Sequence, residues 1–148
     1  NASSISDGAA ALVVTKKSVA EAQGLTVAAT LVSWATNSQE PSKFTSAPVP
    51  AIRKVMEKAG WSVADVDLFE INEAFAMVPM IAMKELGIPA EKLNVNGGGT
   101  ALGHPIGASG ARIIATLIAA LQNRGLKRGV AALCIGGGEG TAIAVEVE

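Results

Sequence analysis

The stretch GVAALCIGGGEGTAIAVEV, at residues 129–147, has the pattern of two strands joined by a glycine turn. Residues 129–135 are continuously apolar or small, which is typical of a strand that is buried on both faces of a sheet. Residues 136–140 are mostly glycine and predict a turn, and residues 141–147 predict the final strand. Because the turn is short, the two strands are expected to pair antiparallel.

Outward from this hairpin, the chain alternates strands with helices. Further strands are predicted at residues 26–36, 67–71 and 93–96, and a separate apolar stretch at residues 9–15 also has strand character. Helices are predicted at residues 16–23, 50–59, 73–86 and 109–123, the third with a kink at Pro79. This alternation predicts an α/β domain with a mixed five-stranded sheet flanked by helices.

The composition excludes several classes of protein. The chain has 148 residues, of which 49% are hydrophobic and 17% charged, so it can bury a substantial core. Its net charge of −1 predicts no nucleic-acid partner and no anionic membrane surface, and no apolar stretch is long enough to span a bilayer. Cys134 and His104 are its only cysteine and histidine, too few ligands for a zinc site. A lone cysteine fits a reducing compartment, so we expect a cytoplasmic protein without a metal.

Cys134 is the first candidate for chemistry, because it ends an apolar strand and is followed by the glycines at residues 136–138. Glycines in a row weaken regular structure, and one reason for them is the close approach of backbone N–H groups to a ligand oxygen. The alternative is a buried structural cysteine before a tight turn, which is common for this residue type.

His104 and Asn72 are the other candidates. His104 lies in GHPIGASG (residues 103–110), just before a predicted helix, where it can polarise a thiol or bond a loop carbonyl. Asn72 lies between a strand and a helix, where it can cap the helix or hold a water or a substrate carbonyl. Each structural alternative is at least as good when it is taken alone. Together with Cys134, however, the set indicates acid–base or thiol chemistry, and we expect the three side chains to cluster.

Four blocks of the sequence resemble the thiolase family. They are NASSISDGAA (residues 1–10), NEAFA (residues 72–76), NVNGGGTALGHPIGASGAR (residues 94–112) and CIGGG (residues 134–138). The blocks occur in the family's order and extend over the whole chain, and the His-Pro and Cys-Ile-Gly-Gly-Gly blocks are highly specific. The chain resembles the C-terminal half of a thiolase, one half of the layered αβαβα fold.

The resemblance implies an acyltransferase that joins acetyl-CoA units by Claisen condensation or cleaves 3-ketoacyl-CoA by thiolysis. It implies that His104 deprotonates a nucleophilic cysteine and that Cys134 is the acid/base that moves the α-proton. Asn72, through a water, would join His104 in binding the thioester oxygen. The N–H of Gly136 would contribute to a second oxyanion hole.

The remaining implications concern binding. Ser3 resembles a serine near the pantetheine arm of coenzyme A, and Phe75 resembles a residue near the acyl pocket. Acyl-CoA and coenzyme A would be substrates and products, with no resident cofactor and no metal. When complete, the protein would form a homodimer or homotetramer.

The chain departs from the family in one large respect. The nucleophilic cysteine of thiolases lies in the N-terminal half, whereas the only cysteine here matches the acid/base position. Residues 1–24 resemble the end of the N-terminal domain and residues 25–148 the C-terminal domain. Asn1 is not an initiator methionine, so we expect a longer protein or a processed one. The missing N-terminal half is the expected partner, and this chain alone is expected to be inactive.

Two alternatives to this interpretation stay open, the first from a different class of protein and the second from the same superfamily. One is a non-catalytic fragment that binds coenzyme A or forms a dimer. The other is a condensing domain like those of β-ketoacyl synthases, which typically use two histidines with the cysteine and lack the Asn-Glu-Ala-Phe block.

Overall fold

The computed structural model describes residues 1–148 without a gap. Its helices are α1 (Lys17–Ala22), α2 (Pro48–Ala59), α3 (Met77–Leu86), α4 (Gly99–Leu102) and α5 (Ile106–Arg124). Its strands are β1 (Ala29–Ser38), β2 (Leu68–Ile71), β3 (Arg128–Ile135) and β4 (Glu139–Val147). Short 3-10 turns lie at Pro41–Ser46, Val63–Asp65 and Ala90–Lys92. The alternation of strands and helices confirms the α/β class.

The strands form one mixed sheet in the order β1-β4-β3-β2. Strands β3 and β4 pair antiparallel, from Arg128↔Glu146 to Ile135↔Glu139, as the sequence of the hairpin predicts. Strand β1 pairs antiparallel with β4, and β2 pairs parallel with β3. The parallel pair matters for the site, because the carboxyl ends of β2 and β3 lie at the same edge of the sheet.

The prediction of a fifth strand at residues 93–96 is wrong, because the sheet has four strands. Leu93 makes a single bridge to Phe69, and Asn94 then adopts a positive φ of 47°. The side chain of Asn94 replaces the missing strand: its Oδ1 accepts from the N–H of Ile71 at 2.7 Å, and its Nδ2 donates to the carbonyl of Ile71 at 2.9 Å. The outer edge of β2 is therefore satisfied by a side-chain amide.

Residues 9–15, which have the composition of a strand, lie outside the sheet. Val13 and Val14 are 95% and 76% exposed. A strand is stable only beside a neighbour that pairs with its backbone, and this segment has none in the chain.

The helix predicted at residues 73–86 begins later, at Met77. Pro79 therefore lies in the first turn of α3, where a missing N–H costs nothing, and the predicted kink is not needed. Residues 73–76 form an irregular loop instead.

The sheet separates two apolar clusters. Helices α2 and α3 cover one face, and the side chains of Val130, Ala132 and Cys134 point into that cluster. Helix α5 covers the other face, where Ala131 packs with Leu117. Gly129 allows α5 to approach closely, because an added Cβ there would lie 2.9 Å from the Leu117 side chain. None of the helices is both long and apolar enough to cross a membrane.

Candidate active site

Asn72 and Cys134 lie at the shared carboxyl edge of β2 and β3. The parallel register pairs Ile71 with Ala132, and the N–H of Asn72 donates to the carbonyl of Ala132 at 2.9 Å. Cys134 follows two residues later on β3. Both residues are buried, with 1% of Asn72 and 6% of Cys134 exposed. The backbone of the sheet thus places an amide and a thiol on neighbouring strands.

His104 reaches this edge from the loop between α4 and α5. Gly103 precedes it with a φ of +91°, and any side chain at that glycine would overlap Ser6. The N–H of His104 donates to the carbonyl of Ser4 at 3.0 Å, so the N-terminal segment supports the loop. The glycine is needed both for its backbone conformation and for this close approach.

The side chains of Asn72 and His104 touch. Nδ2 of Asn72 lies 3.4 Å from Nε2 of His104, a long hydrogen bond. On the other side of the ring, Nδ1 lies 2.6 Å from Oγ of Ser109, and that hydroxyl donates to the carbonyl of Pro105 at 3.1 Å. The imidazole is therefore held from both sides, with its Nε2 at the sheet edge.

A buried ion pair lies behind Asn72. Nη1 of Arg112 lies 3.0 Å from Oε1 of Glu70, and Nη2 of Arg112 donates to Oδ1 of Asn72 at 3.3 Å. Glu70 is only 2% exposed. Sequence reasoning missed both charged residues, although a glutamate inside the apolar stretch Leu68-Phe-Glu-Ile71 is a signal that a buried partner exists.

Burial shifts the pKa values of the ionisable groups in the site. Burial, together with the positive charge of Arg112, lowers the pKa of His104 below its ordinary 6.5, so its ring is neutral at pH 7. Burial also raises the pKa of the Cys134 thiol, which is therefore protonated at rest. The pKa of Glu70 rises to about 7 by burial, although Arg112 opposes the shift.

The structure brings two of the three predicted groups into contact and leaves the third apart. No hydrogen bond joins Sγ of Cys134 to His104 or Asn72, and the thiol packs in the cluster beneath α2 and α3. Cys134 shares the sheet edge with the other two, but a working cluster of all three side chains stays a prediction.

The glycine turn after Cys134 leaves Gly136 open. Nothing lies within 4 Å of a Cβ built there, and the residue is exposed. The backbone hydrogen bonds of this turn run from Gly138 to Ile135 and from Gln39 to Gly138, so the N–H of Gly136 is not used by them. The turn can therefore offer this N–H to an oxygen.

Ser3 and Phe75 lie together at one side of the site. The N–H and the hydroxyl of Ser3 both donate to the carbonyl of Ala74 at 3.1 Å, which ties the N-terminal segment to the Asn-Glu-Ala-Phe loop. The Phe75 ring is 38% exposed and stacks edge-on against Phe44, with 6.0 Å between centroids.

An open cavity of about 370 Å³ lies next to Pro105, the residue that follows His104. It is bounded by the N-terminal segment and the start of α5, and its lining includes Ser6, Asp7, Gly8, Pro105, Ile106 and Gly107. Neither His104 nor Asn72 lines the cavity, although Pro105, the residue after His104, does.

Comparison with known proteins identifies the family of this chain. The family model described as "Thiolase, C-terminal domain" matches residues 25–147. The cytosolic acetyl-CoA acetyltransferase of Mus musculus is 56% identical over 146 residues, and the acetyl-CoA acetyltransferase of Escherichia coli K12 is 53% identical over 146 residues. Each alignment covers 99% of this chain and 37% of the relative, so the chain spans little more than a third of their length.

A solved structure supports the same assignment. The crystal structure of the Bacillus anthracis acetyl-CoA acetyltransferase aligns with a TM-score of 0.87 at 47% identity, over 89% of this chain and 34% of that one. At this identity and coverage, the shared fold reflects common descent as well as common architecture. The chain therefore belongs to the thiolase family, and it is similar to the family's C-terminal half.

Proposed function

We propose that this chain supplies the His104, Cys134 and Asn72 part of a thiolase active site. The observation that carries the proposal is the contact between Asn72 Nδ2 and Nε2 of a neutral His104, at the sheet edge where β3 also delivers the chain's only cysteine. Neutral imidazole can take a proton from a thiol, and an oriented amide can bind an oxyanion directly or through a water.

In thiolysis, a cysteine outside these 148 residues attacks the 3-keto carbon of the substrate. His104 accepts the proton of that thiol at Nε2. The bond between C2 and C3 then breaks, its electron pair goes to C2, and an acyl group stays on the nucleophilic cysteine. The leaving fragment is the enolate of acetyl-CoA, whose oxygen lies against Asn72 and His104 in this proposal.

Cys134 completes that step as the acid. Its thiol, protonated at rest because burial raises its pKa, gives its proton to C2 and becomes a thiolate. The thiol of coenzyme A then gives its proton to the Cys134 thiolate and attacks the acyl group. The bond between that group and the nucleophilic cysteine breaks, and the cysteine takes its proton back from Nε2 of His104. Claisen condensation is the same sequence in reverse, with the Cys134 thiolate removing the α-proton. The free N–H of Gly136 suits the second oxyanion hole.

The binding roles follow from position. The cavity beside Ser6 and Pro105, with Ser3 nearby, is the proposed path of the pantetheine arm of coenzyme A. Phe75 is the proposed wall of the acyl pocket, because its ring is partly exposed next to the Asn72 loop. Coenzyme A enters as substrate and product, and the reaction needs no resident cofactor.

The proposed partner is the N-terminal half of a thiolase, in a homodimer or homotetramer. Several large apolar side chains support this docking because they are exposed, among them Ile5, Val13, Val14, Leu102 and Ile106. Residues 1–24 would then be the end of the N-terminal domain, with residues 9–15 pairing as a strand in that half. A cytoplasmic location is proposed from the lone cysteine and from the printed name of the cytosolic mouse relative.

The test uses the complete protein, meaning the full reading frame that encodes residues 1–148. Loss of thioester is followed in a mixture of acetoacetyl-CoA and coenzyme A. Cys134→Ser and His104→Ala should each lower kcat by roughly two to four orders of magnitude, while circular dichroism stays that of the wild type. Wild-type turnover that survives either substitution would contradict the proposed roles.

A further inference from the structure

Arg112 makes a contact that the reaction sequence above does not use. Arg112 lies in the second turn of α5. Its guanidinium donates to Glu70 at 3.0 Å and to Asn72 at 3.3 Å, at the carboxyl end of β2. Glu70 and Asn72 are two residues apart, so they point to the same face of the sheet. The planar fork of the guanidinium matches this spacing, with one nitrogen for each partner.

The contact decides which way the Asn72 amide points. An arginine has only donors, so the amide must present its oxygen to Arg112 and its nitrogen to His104. The nitrogen of an amide only donates, so Nε2 of His104 must be the ring nitrogen that carries no proton. The reversed amide would set two donors against each other at Arg112.

The hydrogen bonds on the Nδ1 side of the His104 ring favour the same tautomer. Oγ of Ser109 gives its hydrogen to the carbonyl of Pro105, so it accepts from Nδ1 of His104. Each group therefore donates a hydrogen bond to the next, in the order Arg112, Asn72, His104, Ser109 and Pro105. Glu70 anchors the start of this chain whether it is ionised or protonated, because either form offers an oxygen that accepts from Nη1.

We propose that Arg112, anchored by Glu70, is a positioning residue that fixes the Asn72 amide and, through it, the Nδ1–H tautomer of His104. Neither charged side chain touches the imidazole. Their effect on catalysis rests on the proposed function, since it assumes that Nε2 is the working base. The tautomer itself depends only on the contacts described here.

The competing account is that Glu70 and Arg112 form an ion pair that only stabilises the fold. Replacing both partners with apolar residues separates the two accounts, because it leaves no unpaired buried charge. The variant is Glu70→Leu with Arg112→Met. The matched control is Arg124→Met, which removes an arginine from the same helix whose hydrogen bonds go to Ala120 and Asn96.

The measurement is ¹⁵N NMR of the imidazole in the 148-residue chain, where His104 is the only histidine. The wild type and Arg124→Met should show the Nδ1–H tautomer. In the double variant Ser109 still favours the Nδ1–H form, so that form should stay the major one while a measurable share of the Nε2–H form appears, with an amide spectrum that still reports a folded chain. In the complete protein, the double variant should lower kcat by roughly tenfold and leave KM unchanged.

Two results would overturn the proposal. One is a wild-type ring that carries its proton on Nε2, a measurement that does not depend on any variant folding. The other is a folded double variant whose tautomer is unchanged. A complete protein without thiolase activity would contradict the proposed function instead, and it would leave the tautomer result standing.

Discussion

Nδ1 of His104 lies 2.6 Å from Oγ of Ser109, a buried hydroxyl in the first turn of α5. The serine is fully buried and also bonds the carbonyl of Pro105, so its hydroxyl cannot turn freely. The orientation of the imidazole is thus fixed by the helix that follows the histidine loop. The main effect of this hydrogen bond is therefore to hold the imidazole in one orientation.

Ser109→Ala should therefore lower kcat in the complete protein, by up to about a hundredfold, because the ring loses the group that fixes its orientation. Steady-state thiolysis of acetoacetyl-CoA measures the change. Ser33→Ala is the matched control, since Ser33 is also buried and donates to the carbonyl of Val55 at 2.8 Å, far along the chain from the site. Equal losses of kcat in the two variants would contradict an orienting role for Ser109.

Glu70 should make the stability of the chain depend on pH. Its pKa is about 7 in the folded chain, and its ordinary value is 4.5. Between these values the folded state keeps a proton that the unfolded chain releases, so the free energy of unfolding should fall as pH rises. Glu70→Gln removes this titration and should flatten the slope.

Urea unfolding of the chain, measured in steps from about pH 5 to pH 7, tests this prediction. The same substitution at the exposed Glu40, which pairs with Lys43 at the surface, is the control. A slope that is identical in the wild type and in Glu70→Gln would show that Glu70 is not the group responsible.

Asn94 should be important for the fold, because its amide closes the outer edge of β2. Asn94→Gly keeps a residue that tolerates the positive φ, and it removes both hydrogen bonds to the buried Ile71. Each unpaired backbone group should cost about 1–3 kcal/mol in the free energy of unfolding. Chemical denaturation measures the loss, and Asn96→Gly, two residues away, is the control. A loss no larger than that of the control would contradict this role of Asn94.

The sequence predicts most of the sheet and one contact at the site, for physical reasons that can be named. Residues 129–147 are apolar around a short glycine turn, and this pattern leaves few alternatives to a buried antiparallel hairpin. The strand predicted at residues 93–96 does not form, because a single asparagine side chain takes its place beside β2. Hydrophobic periodicity does not reveal a contact of this kind.

Of the two side chains that contact Asn72, one can be predicted from local sequence and the other cannot. His104 lies in a motif that can be read locally, and the structure confirms its contact with Asn72. Arg112 lies in the body of an amphipathic helix, 42 residues from Glu70, and only tertiary packing brings the two together. Buried charges of this kind cannot be paired from local pattern alone.

In the proposed mechanism this chain holds one part of a two-part thiolase site, and a comparison of the chain with the complete protein tests that division. The 148-residue chain and the complete protein are each incubated with acetoacetyl-CoA and coenzyme A, with thioester loss and covalent acylation followed together. We expect turnover and an acylated cysteine outside residues 1–148 in the complete protein. We expect no thiolysis and no acylation burst in the chain alone, because Cys134 is its only thiol and acts as acid and base. Robust turnover by the chain alone would contradict the account, because one cysteine would then be doing the work assigned to two.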